Sequence, residues 1–421
     1  MRDLTEMQVI GDGATWMCST QFGAPQMDGG ASSNGQMLQV LDAILIDGFN
    51  PQVSTGAELL PDGFVKIKFG TAVGYKKRQK ILITGANDAN LNGEHIITDI
   101  MGNDITIKSP DTTVVTGTIT AKVAPLGWES IFGSTDPLKR AYRSKNPNTT
   151  QTVIYLDMTL SSSHGYHSSS PAHRAMVSLC KDMTEIGVEI DSYTTVINDK
   201  EANINGSLFW RQKQYGSKAE AMNFKGYSPW TVVGNGDYFY FMVDWASRSG
   251  STEKGGKDLF MFGDLPSFAG VSDEWCCAWA GVVSKNDVDP VYVAANGGVI
   301  NGGDSKFFIS NHLGAVNMWR FTMSFGGGSS PSQSGNENII TYPNPTTASL
   351  VTNSLIALSD GGIRAAMPRI MYIPHRMSSY ISTYKDLDNT FIDDYLIVSM
   401  SGMTGVATFY ENAYFAFYMG D

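Results

Sequence analysis

Three stretches of this 421-residue chain carry residue types at spacings that could do chemistry. Asp88-Ala89-Asn90-Leu91-Asn92-Gly93 fits the opening of a calcium loop, D-x-N-x-N-G, with Asp99 at the twelfth position. Such a loop needs oxygen ligands converging around a glycine turn between two helices. Here Ile81–Ile83 before it and Ile96-Ile97 after it read as strands, and Asp99 has a shorter reach than the usual bidentate Glu. A glycine-stabilised β turn is therefore expected. His164, His167 and His173 form the second group; imidazoles so spaced could hold Zn²⁺ or Ni²⁺ if a carboxylate joined them. No H-E-x-x-H and no paired cysteines accompany them, so they read as solvent-facing or backbone-bonded histidines and no metal is assigned.

The third stretch, Ser251-Thr252-Glu253-Lys254-Gly255-Gly256-Lys257-Asp258, approaches a phosphate-binding loop. Ser251 replaces its first glycine and Asp258 its Mg²⁺-binding hydroxyl. A strand-like Leu259–Phe262 follows, so no helix N-terminus would face a phosphate. Gly11-Asp12-Gly13 and Gly234-Asn235-Gly236 lack the third glycine of a dinucleotide turn. No cofactor is implied. The acid pair Asp393-Asp394 could serve glycoside hydrolysis only at a spacing set by folding, and a solvent loop is its default reading. No G-x-S-x-G elbow exists, and Cys276-Cys277 in a strand would point to opposite faces. No catalytic, cofactor-binding or metal-binding residue is therefore assigned, and the expectation is that the chain is not an enzyme.

Two basic clusters, Lys76-Lys77-Arg78-Lys80 and Lys139-Arg140-Arg143-Lys145, raise the question of nucleic acid. The formal net charge of −11 opposes it, and contact with an acidic neighbouring subunit is at least as good a reading. Four cysteines are too few for a disulfide framework and fit a chain made in reducing cytosol. The start, Met1-Arg2-Asp3-Leu4-Thr5-Glu6, has no apolar core of a secretory signal. No run approaches the ~20 apolar residues of a membrane span. A soluble chain is expected.

What must position these residues is mostly strand. Met37, Leu38, Leu41, Ile44 and Leu45 keep helical spacing over Gln36–Asp47, with Asn34 as cap and Gly48 as stop. A second helix is predicted after Ser170-Pro171, with Met176, Leu179, Cys180 and Met183 on one face and Gly187 as its end. Between them, Phe64–Phe69, Lys80–Ile83, His95–Thr98 and Asp104–Lys108 read as short strands separated by Asp62-Gly63, Asn92-Gly93 and Gly102-Asn103. After about Asn198, strands are predicted at Tyr238–Asp244, Leu259–Phe262, Trp275–Val283, Met318–Phe325 and Tyr395–Met400, with a flexible loop over Gly326–Gly335.

The length suits two to three domains. With 17% charged residues and 44 glycines, the expected class is mainly β, with few helices and β-sandwich-like domains. The predicted organisation is an N-terminal α+β domain (1–50 plus 124–198), an inserted small all-β module (51–123) and a C-terminal β-rich domain (199–421).

The order of four segments resembles a family of virion structural proteins from tailed bacteriophages. They are Gln39–Phe49; the inserted module with Ile83-Thr84-Gly85-Ala86 and Leu91-Asn92-Gly93, running into Ala124-Pro125-Leu126-Gly127-Trp128-Glu129; Tyr238–Phe241 with Phe262-Gly263-Asp264-Leu265-Pro266-Ser267; and Gly362–Tyr372 with Pro374-His375. Together they span about Gln39 to Met400.

The resemblance implies a non-enzymatic particle component of the tail, neck or baseplate, repeated by symmetry, with no catalytic residues to carry over. Its implied partners are copies of itself and other virion proteins, with no direct nucleic-acid binding, no membrane span and some host-surface contact. Its implied place is the virion, after assembly in the host cytoplasm. Two other readings stand beside it: a host-surface polysaccharide binder or degrader, with Trp210, Trp230 and Trp245 stacking on sugars, and a capsid decoration protein.

Overall fold

The computed structural model describes residues 13–27, 35–133, 136–159, 174–192, 208–211, 228–244, 257–265, 275–282, 306–311, 314–315, 353–359, 362–373, 390–392, 394–399 and 414–420. Among these the chain is mainly β, with 56% in strands and 9% helical, divided among four antiparallel sheets.

The chain opens with β1 (Thr15–Cys18) and α1 (Gln36–Asp42), which runs on into a π-helical turn over Ala43–Asp47. Met37, Leu38, Val40, Leu41, Ile44 and Leu45 are all buried, so the amphipathic spacing survives the change of helix type. Gly48 ends the helix at φ 70°, and its N–H reaches back to the Ala43 carbonyl at 2.8 Å. A Cβ at Gly48 would strike the Val123 carbonyl, so only glycine fits the turn.

The first sheet takes every strand from Phe49 to Val123: β2 (Phe49–Val53), β3 (Gly56–Leu59), β4 (Phe64–Lys68), β5 (Lys80–Ala86), β6 (Gly93–Met101), β7 (Asp104–Lys108) and β8 (Gly117–Val123). Their order is β2-β8-β5-β6-β7-β4-β3. The two outermost strands are consecutive in the chain, separated by Ser54 and Thr55 alone. Ser54 N–H donates to Ile119 O and Thr55 N–H to Lys68 O, each at 2.8 Å, so one segment bonds both ends of the sheet and curls it round. Strict alternation fills the inside: Val65 and Ile67, Ile81 and Ile83, Ile105 and Ile107, Ile119, Ala121 and Val123 are all buried.

The second sheet comprises β9 (Trp128–Ser130), β10 (Lys139–Ser144), β11 (Val153–Asp157), β12 (Arg174–Glu185), β13 (Val188–Ser192) and β14 (Leu208–Arg211). Here the structure corrects the second predicted helix: Arg174–Glu185, which carries its apolar residues, is strand β12. It pairs with β11 on one side and with β13 and β14 on the other, and Ala175–Cys180 is buried without a break. A central strand covered on both faces loses polar alternation, and its apolar run then mimics a helical stripe. Gly187, expected to stop a helix, instead supplies φ 87° in the turn between β12 and β13.

The third sheet joins β1 to β15 (Trp230–Gly234), β16 (Tyr238–Asp244), β17 (Lys257–Leu265), β18 (Trp275–Val282), β19 (Lys306–Asn311) and β20 (Gly314–Ala315). The fourth holds β21 (Asn353–Ser359), β22 (Gly362–Ile373), β23 (Thr390–Ile392), β24 (Tyr395–Ser399) and β25 (Tyr414–Tyr418). The third sheet is the middle layer. Phe239, Phe241, Phe260, Phe262 and Cys276 join a core with Ile154, Leu156, Val177 and Leu179 of the second sheet. On the opposite face Tyr238, Tyr240, Met261 and Cys277 join Ile370, Leu396, Phe415 and Phe417 of the fourth. Period-two geometry thus sends Cys276 and Cys277 into different cores.

The segments Met318–Phe325 and Gly326–Gly335 and the candidate cap Asn34 lie outside the described residues.

Candidate functional site: the joints between the sheets

Among the described residues, those that looked chemically capable are engaged in turns and in joints between the sheets. Asp88 lies at the turn after β5, where its carboxylate accepts N–H bonds from Asn90 at 3.0 Å, Thr113 at 2.7 Å and Val114 at 3.2 Å. Those bonds, the Thr113 N–H first, hold its pKa below the ordinary carboxylate value. Asn92 turns inward on the same turn, donating to the Ala86 and Asp88 carbonyls at 2.8 and 3.2 Å. The oxygens that a cation would need face the chain's own amides. Asp99 lies 4.0 Å from the Lys77 ammonium instead.

Most side chains of the basic clusters are paired with carboxylates, Lys76 and Lys145 having no ion pair among the described residues. In the first, Lys80 meets Glu94 at 3.1 Å. Arg78 leaves the first sheet altogether: its Nη2 donates to Asp394 Oδ1 at 2.6 Å, and its guanidinium lies 5.4 Å from the centre of the Phe391 ring. Asp394, considered above as half of a hydrolytic acid pair, is thus an anchor for Arg78. Buried Gln79 strengthens the joint, donating to Gln21 Oε1 at 3.0 Å, while Lys80 N–H donates to Thr15 Oγ1 at 2.9 Å.

In the second cluster, Arg140 Nε donates to both oxygens of Asp42, at 2.9 and 3.2 Å, and Tyr142 Oη donates to Asp42 Oδ1 at 2.8 Å. Arg140 Nη1 donates to the carbonyls of Asp136 and Lys139. This buried triad fastens α1 to β10. Burial raises the Asp42 pKa against the opposing pull of Tyr142 and Arg140, and burial followed by the Asp42 charge raises that of Tyr142. Arg143 meets Glu129 at 2.9 Å and Lys139 meets Asp157 at 3.8 Å.

A third joint lies at the β15–β16 turn, Gly234-Asn235-Gly236-Asp237. Trp128 Nε1 donates to Asn235 O at 2.9 Å, and the indole packs edge-on to Phe239 with centroids 5.4 Å apart. Asn146 Nδ2 donates to Asp237 Oδ1 at 2.7 Å, while Thr150 donates through N–H and Oγ1 to the two oxygens of Asp264 at 2.7 and 2.6 Å. Sequence reading weighed this glycine pair only as a failed nucleotide motif. The signal that it is a hairpin turn lies in the aromatic and β-branched runs on either side of Asn235-Gly236.

The proposed sugar-stacking aromatics are corrected by burial. Trp210 has no exposed surface and stacks on Phe260 at 5.4 Å and 20°. Trp230 is 1% exposed, with its indole N–H on Pro25 O at 2.9 Å. Neither has a free face for a ligand. Trp245, His164, His167, His173, Asp393 and residues 251–256 lie outside the described residues.

The thiols of Cys180, Cys276 and Cys277 are buried, and desolvation raises each pKa far from the range of a reactive thiolate. Among the described residues no three His, Cys, Asp or Glu side chains converge as a metal site, and no helix is long and apolar enough to cross a membrane. What the described surface does offer is apolar side chains on and beside the first sheet: Met101 at 64% and Val53 at 62% exposed, with Leu59, Ile96 and, in the β7–β8 connection, Val114. Val188 and Ile190 add a second place on β13. No protein-family model matches the chain, and no curated protein matches it.

Proposed function

We propose that this chain is a non-enzymatic structural component of a tailed-bacteriophage virion, of the tail, neck or baseplate, that works by symmetric assembly with copies of itself and other virion proteins. One observation supports the reading: segments that bear the ordered resemblance each supply one side of a contact between the layers of the fold. Gln39–Phe49 holds the helix that Arg140 and Tyr142 fasten. Ala124–Glu129 passes Leu126 N–H to Ile44 O at 2.9 Å and places Trp128 under the middle sheet. Tyr238–Phe241 and the Phe262–Leu265 part of the third segment lie in that sheet, and Gly362–Tyr372 forms the strand that backs it.

The chemistry at those joints supports the same reading. Basic side chains engaged with Asp42, Glu94, Glu129, Asp157 and Asp394 are poorly placed to serve phosphates, which favours protein partners over nucleic acid. The exposed apolar side chains of the first sheet are suited to the core of a contact with a neighbouring subunit. In this reading the sheet is a peripheral contact module, and the protein resides in the particle after assembly in the host cytoplasm.

Electron microscopy of intact particles labelled with gold-tagged antibody against this chain tests the proposal. Label at the tail, neck or baseplate is the expected result, and label over the head would make it a decoration protein. Particles without label would overturn the proposal.

A further inference from the structure

Arg369 lies in β22 with 1% of its surface exposed and a backbone φ of 56°, a left-handed conformation that large side chains rarely adopt. The register explains the strain. Ser354 of β21 faces Met371 while Ile356 faces Ala366, so residues 367–370 bulge opposite Leu355 alone. Bulges re-aim side chains, and this one buries a guanidinium between the third and fourth sheets.

Its partners there are weak for a buried cation. Nη1 donates to Gly420 O at 2.7 Å and Tyr418 O at 3.4 Å, and the guanidinium carbon lies 5.6 Å from the centre of the Tyr418 ring. Nε is buried without a partner, and so is the hydroxyl of Tyr238 on the facing sheet. The two groups lie within electrostatic reach of each other: the Arg369 charge acts on the Tyr238 phenol, and Tyr240, on the same face as Tyr238, donates to the carbonyl of Pro368, the residue before Arg369, at 2.8 Å. No ion pair among the described residues includes Arg369. A desolvated cation lacking a counter-charge is strongly destabilising, and each orphaned buried donor adds to the cost.

We propose that Arg369 and Tyr238 form the donor side of a buried site for one small monoanion of chloride size. The anion would accept from Arg369 Nε–H and Tyr238 O–H together, neutralise the guanidinium and join β22 to β16. Tyr418 and Gly420 are only partly buried and mark the side from which an ion would enter. The site is independent of the virion reading.

The test is denaturant unfolding of the full chain in chloride against gluconate, a bulky anion, at fixed ionic strength. Binding to the folded state alone should raise the unfolding midpoint with the logarithm of chloride concentration in wild type. Arg369→Met should abolish that dependence. Tyr238→Phe, which keeps the ring and the charge, should fold and weaken apparent chloride affinity by about tenfold, the effect of about 1.4 kcal/mol. It also keeps the test valid if Arg369→Met does not fold. Broadening of the ³⁵Cl resonance by wild type, reduced by Tyr238→Phe, is the expected direct readout. A wild-type midpoint indifferent to chloride would overturn the proposal, as would an equal chloride response in wild type and Tyr238→Phe.

Discussion

The first and third sheets are both seven-stranded and antiparallel, yet they bury their side chains in opposite ways. The first curls around one core and shows its other face to solvent, so Val65 and Ile67 are inside while Lys66 and Lys68 pair with Asp104 and Glu58 outside. The third is covered on both faces, with Phe239, Phe241 and Phe262 on one side and Tyr238, Tyr240 and Met261 on the other. The first sheet can therefore vary one face without disturbing its core. The third has no neutral face, and its aromatic runs serve two cores at once.

The largest effect should come from emptying the middle layer. Phe239→Ala removes a ring that meets Trp128 at 5.4 Å and Trp210 at 6.0 Å, and should cost about 3–5 kcal/mol in denaturant unfolding. Ile83→Val, inside the first sheet, should cost about 0.5–1.5 kcal/mol in the same assay. A Phe239→Ala loss as small as that of Ile83→Val would contradict the close packing of the middle layer around that ring.

Alkaline pH should sharpen it. Burial raises the pKa of Tyr238, Tyr240, Cys276 and Cys277 in the third sheet, and of Tyr75 against the first. The folded state keeps these protons where the unfolded chain releases them. Their contribution is fully present below the ordinary thiol and phenol values and is lost as pH rises above them toward the raised folded values. Each group adds a slope of about 1.4 kcal/mol per pH unit there. Unfolding midpoints between pH 8 and 11 should fall steeply in wild type and less steeply in Cys277→Ala. Tyrosinate absorbance should appear in step with unfolding.

Smaller effects distinguish the pins. Arg78→Ala removes an ion pair that is partly exposed and should cost about 0.2–1 kcal/mol, less at high salt, in a double-mutant cycle with Asp394→Ala. Asp88→Asn should leave global stability nearly unchanged while speeding amide exchange at Thr113 and Val114. Because the Asp88 pKa is depressed, wild-type protection there should hold at neutral pH and fail as pH falls through that depressed value.

How much could be read from the sequence follows the same contrast. Four of the seven strands of the first sheet, β4 to β7, were legible because alternation and Asp62-Gly63, Asn92-Gly93 and Gly102-Asn103 marked them, whereas β2, β3 and β8 were not read. The third sheet showed as aromatic runs, and Cys276-Cys277 revealed its two faces. β12 was misread because a doubly covered strand has no polar phase to separate period two from period 3.6. Pairings between distant segments were not legible at all: β1 finds β15 across more than 200 residues, and β2 and β3 close their sheet through Ser54-Thr55. The joints made by Arg78 and Arg140 were visible only as charges. Nothing local tells Arg140 that its partner is Asp42, or Arg78 that its partner is Asp394. Trp210 and Trp230 misled because size and polarity suit a sugar platform and a core equally.

Peptide mass spectrometry on purified phage particles, after heads and tails are separated, tests the central claim most directly. The chain is expected in the tail fraction at a copy number repeated by the tail's symmetry. Its absence from both fractions would contradict a structural role in the virion.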